Sequence, residues 1–351
     1  MAFVSIRVPS WLKIPLMASA PTFELIGVGN PIMDLLAHVD DAFLQKHVAG
    51  DKGGMILVDD DDIETLVRKV GGAYAMMPGG SAANATLDAA RLGLRTTYLG
   101  KVGGDITADH YVKNFTAAGG DGSRFKRTTL PNGRCFSLVT PDGQRTLRTH
   151  LGAAMTLHPD EVTVADFQGA RHAHIEGYLL FNPALADKVM ASARAAGCTL
   201  SIDLASFEVV NVARDWILAQ LRQGVDVVFA NEDEAGALFQ RRDDYAAFAR
   251  ELAGFGGIAA VKLGADGAWI AQGHELHRID PLRAARVVDT TGAGDSWAAG
   301  FLYGHLRGAS LTASGAIGSI LGCETVQHLG AAIPDLHWPR VKSAADLLLK
   351  P

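Results

Sequence analysis

The sequence predicts an α/β fold, a three-layer doubly wound mainly parallel sheet with a small β-sheet lid, and three observations carry that prediction. Apolar runs too short for helices, rich in β-branched residues and bounded by Gly or Asp, recur along the chain as buried parallel strands do. Segments with helical patterning and their own start and stop residues fill the gaps between them. Two stretches, 35–58 and 124–151, break the alternation and carry hairpin signals instead.

Taken in order, residues 1–20 place Arg7 and Lys13 inside a weakly apolar stretch, which leaves no uninterrupted apolar core of signal-peptide length. The expectation is a disordered leader or an upstream start, with Met17 as an alternative beginning, followed by one α/β domain over 21–345. FELIGVG (23–29) reads as the first strand. The acidic run Asp59 to Asp62 precedes IETLVRKV and reads as helix capping, because acids at a helix N-terminus satisfy free N–H groups and oppose the dipole. A helix is predicted over 81–92, opening after Gly79-Gly80 with Ser81 as cap and closing on Gly93. TTYLGKVG (96–103) is the next strand. RCFSLVT and QRTLRTHL flank a Pro-Asp-Gly turn and, with 35–58, supply the lid. HAHIEGYLL (172–180) is a strand, and a helix over 183–196 follows with Asn182 as cap, Pro183 at its first position and Gly197 at its end. TLSIDL (199–204), DVVFA (226–230) and IAAVKLG (258–264) complete the strands. His172 and His174 alternate within a strand, and GHELH (273–277) lacks the HExxH spacing, so both groups read as structural.

Composition narrows the function. The 351 residues carry 32 Lys+Arg against 38 Asp+Glu, a formal charge of -6, which excludes bulk electrostatic binding of nucleic acid or an anionic membrane. No run reaches the roughly 18 apolar residues of a membrane span. Cys135, Cys198 and Cys323 lie far apart with no metal-ligand spacing, which suggests neither disulfides nor a zinc site and fits a reducing, cytoplasmic setting.

The densest chemical signal is VVDTTGAGDSWAAGFLYGHLRG (287–308), where a short strand passes through Asp289-Thr290-Thr291-Gly292-Ala293-Gly294 into a helix beginning near Asp295. A glycine-rich turn feeding a helix N-terminus aims free N–H groups and a partial positive charge outward, as an anion site requires. Asp295 as a simple cap is the alternative, but two glycines, two threonines and two acids in seven residues exceed what a cap needs. A P-loop is absent, since the Gly100-Lys101 pair is followed by Val102. A dinucleotide fingerprint fails as well, with Trp297 at its sixth position and no acid over 300–323.

These residues resemble a known family. The segment 287–308 resembles the C-terminal signature of the ribokinase-like (PfkB-type) carbohydrate kinases, and PGGSAANATLDAARLGLRTTYLGKVGGD (78–105) resembles their N-terminal signature. NEDE (231–234) is similar to the family's Asn-x-x-Glu element, and VKLGADGA (261–268) to its nucleotide-binding strand end. GNPIMD, RCFSLVTPDGQRTL and HIEGYLL resemble the adenosine-kinase-like branch, from which Asp203 in LSIDLASF departs by standing where an Asn is usual. The resemblance implies ATP-dependent phosphorylation of a primary hydroxyl of a nucleoside, adenosine favoured, the alternative being a sugar kinase acting on ribose, fructose or 2-keto-3-deoxygluconate. It implies ATP and Mg²⁺, leaves K⁺ dependence open, and allows a monomer or a lid-mediated homodimer.

The resemblance assigns roles residue by residue. Asp295 matches the catalytic base, and Gly292, Ala293 and Gly294 offer N–H groups to the transferring phosphoryl oxygens, a charge-positioning role suited to phosphoryl transfer. A helix N-terminus favours the carboxylate form that a base needs. Asn231 and Glu234 would organise Mg²⁺ and phosphate through water. Thr291, Lys262, Gly264 and Gly267 fall to the nucleotide side, with Lys262 a solvated replacement for the Thr or Ser of many relatives. Asn30, Asp34, Gly79, Gly80, Ser81 and Asn84 fall to the acceptor, where a carboxylate and a carboxamide can hold both hydroxyls of a cis-diol. Arg145 matches a lid arginine that reaches the phosphate, with Arg148 as the alternative. Ile32, Cys135, Phe136 and Tyr178 could build a slot for a base.

Overall fold

The structure, a computed structural model, describes residues 22–349 except 51, 143 and 243. Nine strands form the main sheet in the order Glu275–Ile279, Ala268–Gln272, Ile258–Lys262, Val227–Asn231, Thr199–Asp203, Ala170–Glu176, Phe23–Val28, Thr96–Leu99, Gly120–Asp121. All pairings from Ile258–Lys262 through Gly120–Asp121 are parallel, and the two strands at the other edge turn back as antiparallel hairpins. Because successive side chains of a strand point to opposite faces, Val227 and Phe229 enter one core while Val228 and Ala230 enter the other. Helices Pro183–Ala195, Phe207–Gln223, Glu232–Phe239 and Tyr245–Ala253 cover one face; Ser81–Leu92, Ala293–Leu306, Leu311–Thr325 and Trp338–Leu347 cover the other. Both faces are thus buried, and the fold is the doubly wound three-layer sandwich.

A second, five-stranded sheet runs Met55–Leu57, Arg145–His150, Gly133–Val139, Ile32–His38, Ala75–Gly79. Its outer face packs Leu35, Phe136 and Leu138 against Ile63 and Leu66 of helix Asp60–Val70 and Tyr111 and Phe115 of helix Ile106–Ala117. Strand Ala75–Gly79, whose Met76, Met77 and Pro78 give no regular alternation, has no counterpart in the sequence reading, and 35–58 resolves into the end of one strand, helix Asp41–His47 and a three-residue strand. The leader expected at 1–20, with its alternative start at Met17, lies outside the described residues. No helix among the described residues is long and apolar enough to cross a membrane.

Local signals act as their chemistry dictates, with instructive exceptions. Asp59 Oδ1 accepts from the Asp62 N–H at 2.9 Å, and Asn182 Oδ1 caps Leu185 at 3.3 Å. His172 donates to or accepts from Thr199 and Ser201 at 2.7 and 2.8 Å, and His174 meets Ser201 at 2.8 Å. Burial holds both imidazoles in the neutral form, His174 down at about 4. The strand at 96–103 breaks after Leu99, and Lys101–Val102 pairs instead with Lys126–Arg127. HAHIEGYLL stops being strand at Glu176, and Gly177–Phe181 winds into a 3₁₀ turn. Ser81 is not a cap: Gly80 holds that position at φ +99, and the Ser81 hydroxyl reaches elsewhere.

Candidate active site

In a parallel sheet every strand delivers its last residue to the same edge, which is where open α/β sheets bind ligands. Here that edge gathers Asn30, Glu176, Asp203, Asn231 and Lys262 from five strands that are far apart in sequence. The lid sheet faces them with Ile32, Asp34, Cys135, Ser137, Arg145 and Leu147, enclosing a cleft of about 1620 Å³. Ser81, Asn84 and Asp295 line its floor, and Gly264, Gly267, Thr291, Ala293 and Gly294 line its far end. Gly79 and Gly292 stand behind the wall rather than in it: the Gly79 carbonyl accepts from the Tyr111 hydroxyl at 3.0 Å, and Gly292 backs onto Ala331.

The glycine-rich turn is built around Asp289. Its Oδ1 accepts from the Thr291 N–H at 2.9 Å and the Thr291 hydroxyl at 2.6 Å, and its Oδ2 from the Gly330 N–H at 2.9 Å. Arg145 Nε lies 3.4 Å from the same carboxylate. Burial pushes the Asp289 pKa up, but the Thr291 and Gly330 donors and Arg145 outweigh it and hold the group below the usual carboxylate range. The Thr291 hydroxyl is therefore committed to the turn. Gly292 caps helix Ala293–Leu306 in the left-handed region at φ +70, which a side chain would resist. The helix starts at Ala293, with Asp295 in its first turn, and the Ala293 N–H closes the turn onto Thr290 at 3.3 Å.

Asp295 sits in the first turn of that helix and is held from across the cleft floor. The Ser81 hydroxyl donates to its Oδ1 at 2.7 Å, and Asn84 Nδ2 donates to its Oδ2 at 2.9 Å. Its pKa is raised, first by burial; the Asn84 and Ser81 bonds and Lys262 pull it down, while Asp203 pushes it up. The helix N-terminus alone would favour the carboxylate form, but burial and the Asp203 carboxylate reverse the sign. Asp34, across the cleft, is pushed up to about 7 by burial, opposed by Arg145 and reinforced by Asp295 and Asp289.

Three pairings fix the side chains at this edge. Asn30 gives its amide to Glu176, with Nδ2 to Oε1 at 2.8 Å and the backbone N–H to the same oxygen at 3.3 Å, while Glu176 Oε2 accepts from the Ala82 N–H at 3.2 Å. Asn231 and Glu234 form a complete capping box, with bonds of 2.7 to 2.8 Å. Lys262 is not solvated: its ammonium lies 2.7 Å from Asp203 Oδ2, with side-chain exposures of 12% and 6%. Asp203 and Lys262, the two positions where the sequence departs from the resemblance, thus meet in one buried ion pair. Arg148 is no alternative to Arg145, because it points away and donates to the carbonyls of Ala49, Gly54 and Leu147. Phe136 likewise leaves the proposed slot: it is fully buried in the lid core, and strand alternation puts its neighbours Cys135 and Ser137 in the cleft instead.

The pfkB family of carbohydrate kinases matches residues 56–338. The chain belongs to that family. It resembles the crystal structure of adenosine kinase from Sinorhizobium meliloti, at 32% identity and a TM-score of 0.80, covering 93% of this chain and 99% of that one. The crystal structure of a probable sugar kinase protein from Rhizobium etli CFN 42 aligns with the same identity, 32%, TM-score, 0.80, and coverage, 93% and 99%. Adenosine kinase from Dictyostelium discoideum is 26% identical over 338 residues, 89% of this chain and 96% of that one. Among pfkB kinases the chain falls in the adenosine-kinase-like branch, and it is a phosphotransferase with a hydroxyl acceptor.

A pfkB kinase implies ATP and, with it, Mg²⁺. The oxygen donors at this edge, Asn231 and Glu234, fit a hard cation that keeps much of its water. Glu176 is the residue the sequence reading missed most clearly. A carboxylate closing the strand Ala170–Glu176, at the ligand-binding edge, was the available signal.

Proposed function

We propose that the chain transfers the γ-phosphoryl group of ATP to a primary hydroxyl of a nucleoside, adenosine in preference. The observation that carries this reading is Asp295, fixed by Ser81 and Asn84 beside the turn at Gly292 to Gly294, in a cleft lined both by apolar lid residues and by Gly264, Gly267 and Gly294. Phosphoryl transfer is largely positioning and charge neutralisation. The raised Asp295 carboxylate accepts the proton of the attacking hydroxyl, and its two donors keep it aimed. N–H groups at the start of helix Ala293–Leu306, led by Gly294, face the transferring oxygens. Arg145, on the lid, adds a cation beside the same turn. Asn231 and Glu234 would hold Mg²⁺ through water, and the ion would supply neutralisation of the phosphate charge.

On the acceptor side, Asp34 takes ribose hydroxyls, Gly80 brings the backbone close, and Asn30 is positioned by Glu176. Ile32, Leu57, Cys135, Leu147, Tyr178 and Phe181 give the chamber an apolar lining that a free sugar does not need and a purine does. The Rhizobium etli likeness supports a second reading, a sugar kinase with the same base and anion turn. Replacing Asp295 with Asn tests the base in either case. Turnover should fall roughly 10²–10⁴-fold while ATP still protects the protein from thermal unfolding; turnover near the wild-type rate would remove Asp295 from the mechanism.

A further inference from the structure

Beyond the cleft, Glu324, His328 and His337 bring one carboxylate and two imidazoles together, with ligand atoms all within 4.8 Å of one another. Glu324 lies in the last turn of helix Leu311–Thr325, His328 lies one turn further on, and His337 arrives from the 3₁₀ turn Asp335–His337. His328 Nε2 is 3.1 Å and His337 Nδ1 is 2.6 Å from the same oxygen, Glu324 Oε1. The imidazoles meet edge to face with centroids 4.6 Å apart. Zn–ligand bonds of about 2.0–2.1 Å in a tetrahedral site set neighbouring ligands roughly 3.3 Å apart, so the two contacts to Glu324 Oε1 would have to open slightly to admit an ion. Arg340 Nη2 holds the other carboxylate oxygen, Oε2, at 2.6 Å, the place an outer-shell partner takes around a metal-bound carboxylate. The same Nη2 lies 3.4 Å from His337 Nδ1.

We propose that Glu324, His328 and His337 bind a zinc-class divalent ion, leaving a fourth position open to water. Nitrogen and carboxylate donors together select a borderline ion such as Zn²⁺ over Mg²⁺, which prefers oxygen alone. The site fastens the segment between helices Leu311–Thr325 and Trp338–Leu347, and that segment supports the anion turn: Gly330 donates to Asp289 at 2.9 Å and Ala331 packs on Gly292. An ion here therefore braces the back of the cleft.

The test uses the full chain, stripped of metal and dialysed against Zn²⁺ in excess Mg²⁺, with bound zinc measured by elemental analysis. One equivalent should remain on the wild type and be lost from the His328→Gln/His337→Gln variant. His337→Gln alone serves if the double variant does not fold. Co²⁺ in place of Zn²⁺ should give the visible ligand-field absorption of a four-coordinate ion in the wild type only. A wild type that retains no zinc, or a variant that retains as much, overturns the site and shows the cluster to be an ion-pair network; neither outcome touches the kinase reading.

Discussion

Asp295 is a base whose strength is set by two side chains from another element. Ser81 and Asn84 stabilise its carboxylate, so Ser81→Ala and Asn84→Ala should each raise its pKa further. More of the base is then protonated at a given pH, the acid limb of the kcat profile moves to higher pH, and the rate recovers in alkali. An unshifted limb in both variants would show that Asp295 does not govern the profile. Asp34 gives a separate signature. With a pKa of about 7, it loses its negative charge as pH falls through neutrality, so the acceptor KM should rise on acidification and the ATP KM should not. Asp34→Asn should flatten that dependence. The residue types of both groups were legible in the sequence, but the sign of the Asp295 shift was not, because it comes from burial and from Asp203, 92 positions away.

At the scale of elements, boundary chemistry was readable wherever a residue acts on its own helix. Asp59 and Asn182 cap as their types demand. Ser81 departs from the same rule because Gly80, at φ +99, turns the chain without a side-chain cap and frees the hydroxyl for Asp295, 214 residues away. The Lys262–Asp203 and Glu176–Asn30 pairings escaped for the same reason: their members are 59 and 146 positions apart, and no local window contains both. Gly80 should tolerate no side chain. An added Cβ would collide with the Asn30 carbonyl and force an L residue into positive φ. Gly80→Ala should cost roughly 1–3 kcal/mol in denaturant unfolding and raise the acceptor KM. Unchanged stability would mean that the Asn30 carbonyl does not press on Gly80.

Over the whole molecule, strand alternation and strand-end placement made the sandwich and its ligand edge legible, since both follow from period-two burial and parallel connectivity. The lid was less so: Ala75–Gly79 is too irregular in pattern to announce a strand. A less visible property is the number of buried acids. Asp34, Asp88, Glu176 and Glu234 are each pushed up to about 7, chiefly by burial. A carboxyl whose folded pKa exceeds its unfolded one contributes most to stability below the unfolded value, and that contribution is lost as pH rises through the folded one. Asp88 lies outside the cleft lining, and its Oδ2 has no hydrogen-bond partner among the described residues. Asp88→Asn should stabilise the protein by roughly 1–4 kcal/mol at pH 8, with the gain shrinking as pH falls towards 4. A gain independent of pH would mean that Asp88 is not ionising in that range. Acceptor choice is the remaining whole-molecule property, because it depends on lid and sheet edge together. In an ATP-coupled assay with Mg²⁺, kcat/KM for adenosine should exceed that for ribose, fructose and 2-keto-3-deoxygluconate; a higher value for any free sugar would contradict the nucleoside assignment.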